Sequence, residues 1–182
     1  MVVLLQRVVF LQHKNNITFM IIRKTLWEDI DAVMPLYSIA RDYMRRNGNT
    51  TQWTGGYPSR SSIEQDVANG NSFLAENGNG QICFVFSFII GQEPTYKVIE
   101  QGQWLNQEPY GTVHRIASAG IVKGVFDACI AFCKTFGVDI RIDTHKDNAT
   151  MLHAIAKNGF VYCGIIHIAD GTERMAFQLL RS

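Results

Sequence analysis

Apolar and polar positions along this chain predict a mixed series of strands and helices. Residues 19–24 are mostly apolar and predict a short strand, and Thr25 with Glu28 three positions later predicts a capping box. From residue 26 to residue 46, apolar side chains recur with a period of about 3.6 residues, which predicts one long helix. The pair Asn47-Gly48 is expected to end it.

The middle of the chain predicts a second helix, a hairpin and an insertion. Ser61 or Ser62 can cap a short helix that runs through Val67. Strands are predicted at 72–76 and 82–90, and the Asn-Gly-Asn-Gly sequence between them tolerates positive φ, which is typical of a β-hairpin. Residues 91–110 form an aromatic insertion, and a further strand is predicted at 111–118.

The last third predicts helices that alternate with strands. The helices are expected at 124–136 and 148–157, and the strands at 138–144, 160–168 and 174–180. This order favours an α/β or α+β fold in which helices pack on the faces of a central sheet.

Length and charge restrict the organisation and the partners. The 182 residues suit one domain, and no repeat or linker divides residues 20–182. Residues 1–19 make a poor export signal because Arg7 interrupts the apolar run, and they are too short to span a bilayer. We expect this leader to be a misassigned start or an extra strand or arm, and the protein to be cytoplasmic. The formal net charge of +1 argues against nucleic acid or membrane as a partner.

The four cysteines do not have the spacing of a metal site or a disulfide framework. Cys83, Cys129, Cys133 and Cys163 stand in apolar surroundings and are expected to be reduced and mostly buried. Cys129 and Cys133 share one helix face, but two ligands are too few for a structural metal ion. No metal is therefore expected.

The segment from His114 to Asp127 is the most informative in chemical terms. It predicts a strand, a turn with two glycines and then a helix, whose first turn would present unpaired N–H groups and the positive end of its dipole. Such an end binds phosphate, and Lys123 adds a charge. The alternative is an ordinary turn followed by a helix cap.

From Met20 onward the chain resembles the GNAT superfamily of CoA-dependent N-acetyltransferases. The resemblance rests on the opening Ile21-Ile22-Arg23-Lys24 strand, on the strand-turn-helix above, and on Asp147-Asn148 before a helix that ends in Asn158-Gly159-Phe160. It implies a mixed, twisted sheet of about six or seven strands flanked by helices. It also implies acetyl transfer from acetyl-CoA, as co-substrate, to a primary amine by direct attack in a ternary complex.

The same resemblance implies where the cofactor lies. The strand residues Ile116, Ala117 and Ser118 would border the pantetheine arm, and Asn148 would contact the cofactor unless it only caps its helix. The loop that would hold the pyrophosphate comprises Ile121, Val122, Lys123, Gly124, Val125 and Phe126. Two of its residues depart from the family pattern: Ile121 replaces arginine or glutamine, and Phe126 replaces a small residue.

Candidates for proton transfer are few. His114 and Asp143 are predicted as bases for the amine, with a packed histidine and a structural aspartate as the alternatives. The tyrosine that serves as general acid in the family is replaced by Ile155. Tyr162, His153 and Cys163 lie near it in sequence, and a structural role is expected for each.

The acceptor is expected to be an amine of a small molecule or a peptide. Loop aromatic residues are predicted to build its pocket, unless they cover the core; they are Trp53, Tyr57, Tyr96, Trp104 and Tyr110. The main alternative function is a catalytically impaired module of this fold that binds a ligand or a protein partner. An exposed sheet edge also predicts a homodimer.

Overall fold

Eight strands form one continuous sheet in the computed structural model, which describes residues 6–13 and 16–181. The spatial order is β1-β2-β3-β4-β5-β6-β8-β7, and neighbouring strands are antiparallel except for the parallel pair β5 and β6. The strands are β1 (Gln6–His13), β2 (Asn16–Lys24), β3 (Ser72–Asn77), β4 (Ile82–Ile90), β5 (Tyr110–Ser118), β6 (Asp139–Thr144), β7 (Val161–His167) and β8 (Glu173–Leu179).

The strand β1 is the reason why the sheet exceeds the predicted six or seven strands. It pairs along its whole length with β2, so residues 6–13 of the leader form an extra strand at one edge. Leader residues 16–19 belong to β2, and residues 1–5, 14 and 15 lie outside the described part of the chain.

Four α-helices accompany this sheet within the described ranges. They are α1 (Ile30–Arg46), α2 (Arg60–Ala68), α3 (Val125–Lys134) and α4 (Ala149–Lys157). Short 3-10 turns cover Trp27–Asp29 and Pro94–Tyr96. The last third of the chain thus follows the predicted order of strands and helices, with ends shifted by a few residues.

Two predicted helix caps are wrong. Glu28 does not cap the first helix, because a 3-10 turn precedes α1 and the Leu26 amide donates to Asp29 at 2.8 Å. At the second helix the cap is Ser59, whose hydroxyl oxygen accepts a hydrogen bond from the Ser62 amide at 3.2 Å. In both places several polar residues are adjacent in sequence, and only the path of the chain selects one.

The two faces of the sheet carry different elements. On the first, called here the α3 face, α3 and α4 cover an aromatic core, in which Phe86 and Phe132 make a T-shaped contact at 5.9 Å. On the second, the α1 face, Val85 and Ala117 pack with α1. Successive side chains of a strand point to opposite faces, so each residue of the central strands belongs to one of these layers.

The strands β5 and β6 pair with each other over only three residue pairs. Their parallel pairing joins Tyr110 to Asp139 and ends at Thr112 with Arg141. Beyond this point β5 continues to Ser118 and β6 to Thr144 without pairing to each other. The sheet is therefore open between the carboxyl ends of its two central strands.

The cysteines are free and buried, as expected from their apolar surroundings. Burial raises the pKa of Cys83 and of Cys163. In the described part of the chain, no helix is long and apolar enough to cross a membrane.

Candidate active site

A cavity of about 1100 Å³ lies where β5 and β6 separate. Its wall includes Ile116 and Gly124, which belong to the α3 face, and also His114 and Asp143, which belong to the α1 face. The opening between the strands therefore joins the two faces of the sheet in one cavity. A cofactor entering from one face and an acceptor entering from the other would meet at β5.

The amino end of α3 borders this cavity without a side-chain cap. Its N-cap is Gly124, at φ 75°, which has no side chain to accept a hydrogen bond from the first turn. By contrast, Asn148 caps α4 by accepting from the Met151 amide at 3.2 Å. The N-cap of α3 thus supplies no side-chain acceptor to the first-turn amides, and Lys123, Gly124 and Val125 line the cavity, as expected for an anion site at a helix start.

The two residues that depart from the family's loop pattern occupy different positions. Phe126 lines the cavity, but its ring is 8% exposed and packs with Phe160 at 6.2 Å. The Phe126 ring therefore packs mostly into the core of the α3 face. Ile121 is 46% exposed and is not part of the cavity wall, as Val122, Lys123, Gly124 and Val125 are.

Asn148 has more contacts than a cap requires. Besides accepting from Met151, it donates through Nδ2 to Gln52 Oε1 at 3.0 Å, and both side chains line the cavity. Gln52 belongs to the loop after α1, whose next residue, Trp53, is held at φ 59°. A positive φ is costly for a large side chain, and such strain is concentrated at functional sites.

The backbone of β5 is irregular where it borders the cavity. Ser87 of β4 pairs with His114, whereas Val85 pairs with Ala117, so β5 has one extra residue in this interval. Arg115 absorbs the bulge at φ 52°. The backbone here is free of the regular ladder on both sides, and Ile116 and Ser118 line the cavity while Ala117 packs against α1.

His114 has a carboxylate partner that the sequence did not reveal. Its Nε2 atom lies 3.1 Å from Oε2 of Glu93, in the 91–109 segment. Hydrogen bonding to His114 lowers the pKa of Glu93 to about 2, against the opposing effect of burial. An ionised carboxylate only accepts hydrogen bonds, so Nε2 carries the proton, and in the neutral ring Nδ1 carries the lone pair.

Glu93 is itself held in place by its neighbours. Its Oε1 accepts from the Thr95 amide at 3.3 Å and from the Thr95 hydroxyl at 3.0 Å, and its own amide donates to the Tyr110 hydroxyl. The acid is therefore a rigid partner for the imidazole.

The other predicted base, Asp143, already accepts a hydrogen bond from a neighbouring residue. Its Oδ1 accepts from the Tyr96 hydroxyl at 2.7 Å, and burial raises the pKa of Tyr96 well above its ordinary value, so that this phenol remains a donor. Oδ2 lies 4.0 Å from Nε of Arg174. Asp143 faces the same cavity as His114, but its lone pairs are shared with these neighbours.

Only part of the aromatic set predicted to build the acceptor pocket lines the cavity. Trp53 and Tyr57 line the cavity and meet edge to face at 6.3 Å. Tyr96, Trp104 and Tyr110 lie outside its wall, because they pack together beneath it around the buried guanidinium of Arg141. These three lie behind the cavity wall, and Tyr96 contacts two residues of that wall: it donates to Asp143, and its ring centre lies 6.4 Å from that of His114.

None of the residues considered as substitutes for the missing general acid lines the cavity. Ile155 is fully buried in the core, and Cys163 is 4% exposed in the cluster around Tyr96. His153 is exposed on α4, and Tyr162 is exposed on β7, where it packs against Phe177. The tyrosines in the wall are instead Tyr43 and Tyr57.

Sequence reasoning also missed several polar side chains of the cavity wall; they are Tyr43, Gln52, Glu93, Thr95, Asp170 and Arg174. Glu93 before Pro94-Thr95 has the pattern of a turn, and nothing in the sequence connects it to His114 across 21 positions. No group of three or more histidine, cysteine or acidic side chains placed to hold a metal ion occurs within residues 6–13 and 16–181.

Solved structures similar to this chain are acetyltransferases. One, a GNAT-family acetyltransferase from Streptococcus agalactiae, is 34% identical, with 90% of this chain and 96% of that chain covered and a TM-score of 0.78. A GNAT-family acetyltransferase from Listeria monocytogenes is 18% identical, covers 94% and 99%, and has a TM-score of 0.70.

A more distant similarity extends to the ribosomal-protein-S18-alanine N-acetyltransferase of Escherichia coli. It is 14% identical, covers 90% of this chain and 94% of that chain, and has a TM-score of 0.56, which concerns the fold alone. No family model and no curated protein matches the sequence.

Proposed function

Because this chain belongs to the GNAT family of acetyltransferases, we propose that it transfers an acetyl group from acetyl-CoA to a primary amine in a ternary complex. The observation that carries the proposal is the single cavity that joins the uncapped end of α3 to the His114–Glu93 pair. Acetyl-CoA supplies a thioester, whose carbon–sulfur bond breaks as the carbon–nitrogen bond forms.

The α3 face supplies the binding site for the cofactor in this proposal. The first-turn amides after Gly124, together with Lys123, bind the pyrophosphate, and the irregular edge of β5 at Ile116 and Ser118 borders the extended arm. Asn148 and Gln52 close the same end of the cavity through their mutual hydrogen bond.

The α1 face supplies the acceptor site. Nδ1 of His114 accepts a proton from the ammonium group, since its other nitrogen donates to Glu93. The second proton that leaves the nitrogen neutralises the departing sulfur, through solvent, because no side chain of the family's acid type stands at Ile155. Backbone amides near the β5 bulge polarise the thioester carbonyl.

Binding of acetyl-CoA to the purified chain tests this function first. Calorimetry or a rise in melting temperature should show micromolar binding, since a ligand of the native state must stabilise it. Release of the CoA thiol in the presence of a panel of amines then tests transfer. Absence of binding at millimolar acetyl-CoA would contradict the proposal and favour the non-catalytic module.

We also propose that the protein is a homodimer formed through a sheet edge. The described sheet ends in β1 on one side and β7 on the other, and Val161 and Tyr162 of β7 are about half exposed. Light scattering should give the mass of two chains. The same measurement on a chain without residues 1–15 distinguishes the edges: a single-chain mass would assign the interface to β1, and an unchanged dimer would assign it to β7.

A further inference from the structure

We propose that the acceptor amine carries a carboxylate group and that Arg174 binds it, an inference that rests on the proposed function and narrows its substrate class. The observation is a buried guanidinium that lines the cavity with few hydrogen bonds of its own.

Arg174 lies on the acceptor side of the sheet. Asp143 of β6 pairs with Ala176 of β8, so Arg174, two residues before Ala176, is diagonal to Asp143 and shares its face. Ala176 packs with Tyr96 on the α1 face, whereas Met175 and Phe177 pack on the α3 face. Arg174 therefore faces the half of the cavity that holds His114 and Asp143.

The guanidinium has more donors than its neighbours use. Among the described residues, its one hydrogen bond runs from Nη1 to the backbone oxygen of Glu173, at 3.0 Å. Its Nε is 4.0 Å from Oδ2 of Asp143, which is an ion-pair distance but too long for a hydrogen bond. The Arg174 side chain is only 7% exposed but lines the cavity, so its unused N–H groups are available to an acceptor that enters there.

Two carboxylates of this half of the cavity, Asp143 and Asp170, interact electrostatically with Arg174, but each accepts its hydrogen bond from another residue. Glu93 is bonded to His114, and Asp143 accepts from Tyr96. Asp170 is exposed and accepts from the Thr172 amide at 2.9 Å. Arg174 is thus the cation with free capacity on this side.

Arg115, the other guanidinium in the wall, differs in this respect. Its Nη2 donates to Asp66 at 3.3 Å, and Asp66 is 4% exposed beneath the sheet, where it also accepts from the Ser87 hydroxyl. The charge of Arg115 is therefore balanced by a buried carboxylate. Arginine binds a planar carboxylate through two parallel N–H groups, and in the described part of the chain no carboxylate within hydrogen-bond distance occupies those of Arg174.

The arrangement of opposite charges suits a small amino acid. Asp143 and His114 attract the ammonium group that is to be acetylated, and Arg174, adjacent to Asp143, attracts the carboxylate of the same molecule. Trp53 and Tyr57 supply an apolar wall for its side chain. An amine without a carboxylate would leave the remaining N–H groups of Arg174 without a carboxylate acceptor.

Matched ligand pairs test the inference directly. The probes are the neutral L-amino acids, each beside the amine that differs only by lacking the carboxylate. Their binding to the full chain is measured by calorimetry, and their KM and kcat by release of the CoA thiol. The variants are Arg174→Gln, which removes the charge, and Arg174→Lys, which keeps the charge but not the paired donors. Arg181→Gln, at a surface ion pair with Glu108, is the control.

We expect the wild type to bind its preferred amino acid at least about tenfold more tightly than the matched amine. Arg174→Gln should weaken amino-acid binding by about ten- to a hundredfold without weakening amine binding, with the loss in KM more than in kcat. Arg174→Lys should bind amino acids with an affinity between those of the wild type and Arg174→Gln. It provides the test if the glutamine variant does not fold. Arg181→Gln should behave as the wild type.

The inference is overturned if no pair shows a preference for the carboxylate, or if the preference survives in Arg174→Gln because the guanidinium only balances Asp143. Failure of the proposed function is a separate result, recognised by the absence of acetyl-CoA binding. Calorimetry with the amino acids alone tests Arg174 even in that case.

Discussion

The Nε2 atom of His114 lies 3.1 Å from Oε2 of Glu93, although 21 positions separate the two residues in the chain. The contact joins β5 to the turn that begins the 91–109 segment. It fixes which nitrogen of the imidazole holds a proton and leaves a lone pair on the other, which is the proposed base. Dyads of this kind orient the base as well as balance its charge.

The first prediction concerns the acid stability that this contact contributes. Since the pKa of Glu93 falls from 4.5 to about 2, its stabilisation is present above pH 4.5 and is lost as the pH falls toward 2. Glu93→Gln should therefore lower the free energy of unfolding by at most about 3 kcal/mol near pH 5, and by little at pH 2. Urea unfolding across this range measures it. Glu108→Gln, at an exposed glutamate, is the control, and an equal loss at both pH values would contradict the prediction.

A second prediction concerns the base itself. His114→Gln should reduce kcat by about a hundredfold or more with a small change in KM, because general-base catalysis contributes factors of this size. The acidic limb of the pH–rate profile should disappear in the variant. His153→Gln, at an exposed histidine of α4 outside the cavity, is the matched control. A pH profile that stays the same in His114→Gln would exclude His114 as the base.

A third prediction tests whether Lys123 and the start of α3 bind the phosphates of acetyl-CoA. Lys123→Gln should weaken acetyl-CoA binding by about two- to fivefold and reduce its salt dependence, since Lys123 is an exposed charge at the cavity wall. Lys97→Gln, at an exposed lysine far from α3 in sequence, should have no effect. Equal salt dependence in both variants would place the phosphates elsewhere. Substitution of Gly124 is a poorer test, because any side chain is strained at φ 75°.

A fourth prediction separates the two roles of Asn148. Asn148→Ala should cost about 1 kcal/mol of stability through loss of the helix cap. Asn148→Asp keeps the cap but removes the Nδ2 donor to Gln52, so stability should be nearly retained while acetyl-CoA binding weakens. Thermal unfolding and calorimetry measure the two effects. Unchanged cofactor binding in Asn148→Asp would leave Asn148 as a cap only.

Local patterns were sufficient for much of the fold. The Asn77–Gly80 turn predicted the β3–β4 hairpin, which is confirmed, because its residues tolerate positive φ whatever packs around them. The helix after Gly124 was also predicted, since its periodicity and its glycine are adjacent in sequence. The structure of the leader was ambiguous from sequence, because an edge strand such as β1 is stabilised only by its pairing with β2.

The candidate site likewise combines residues that local sequence places together with contacts that depend on the tertiary structure. The local sequence was sufficient to predict that Lys123 and Gly124 lie together at a helix start, because a strand, a turn and a helix bring neighbouring residues together. Asn148 was expected at the same site only from the resemblance to the family. Only the tertiary structure decided that Glu93 meets His114 and that Arg174 lies beside Asp143, since these contacts cross between separate elements. It also moved Tyr96, Trp104 and Tyr110 from the expected pocket to the layer beneath it. The physical reason is that periodicity specifies which face a residue occupies, whereas side-chain partners depend on how distant segments pack.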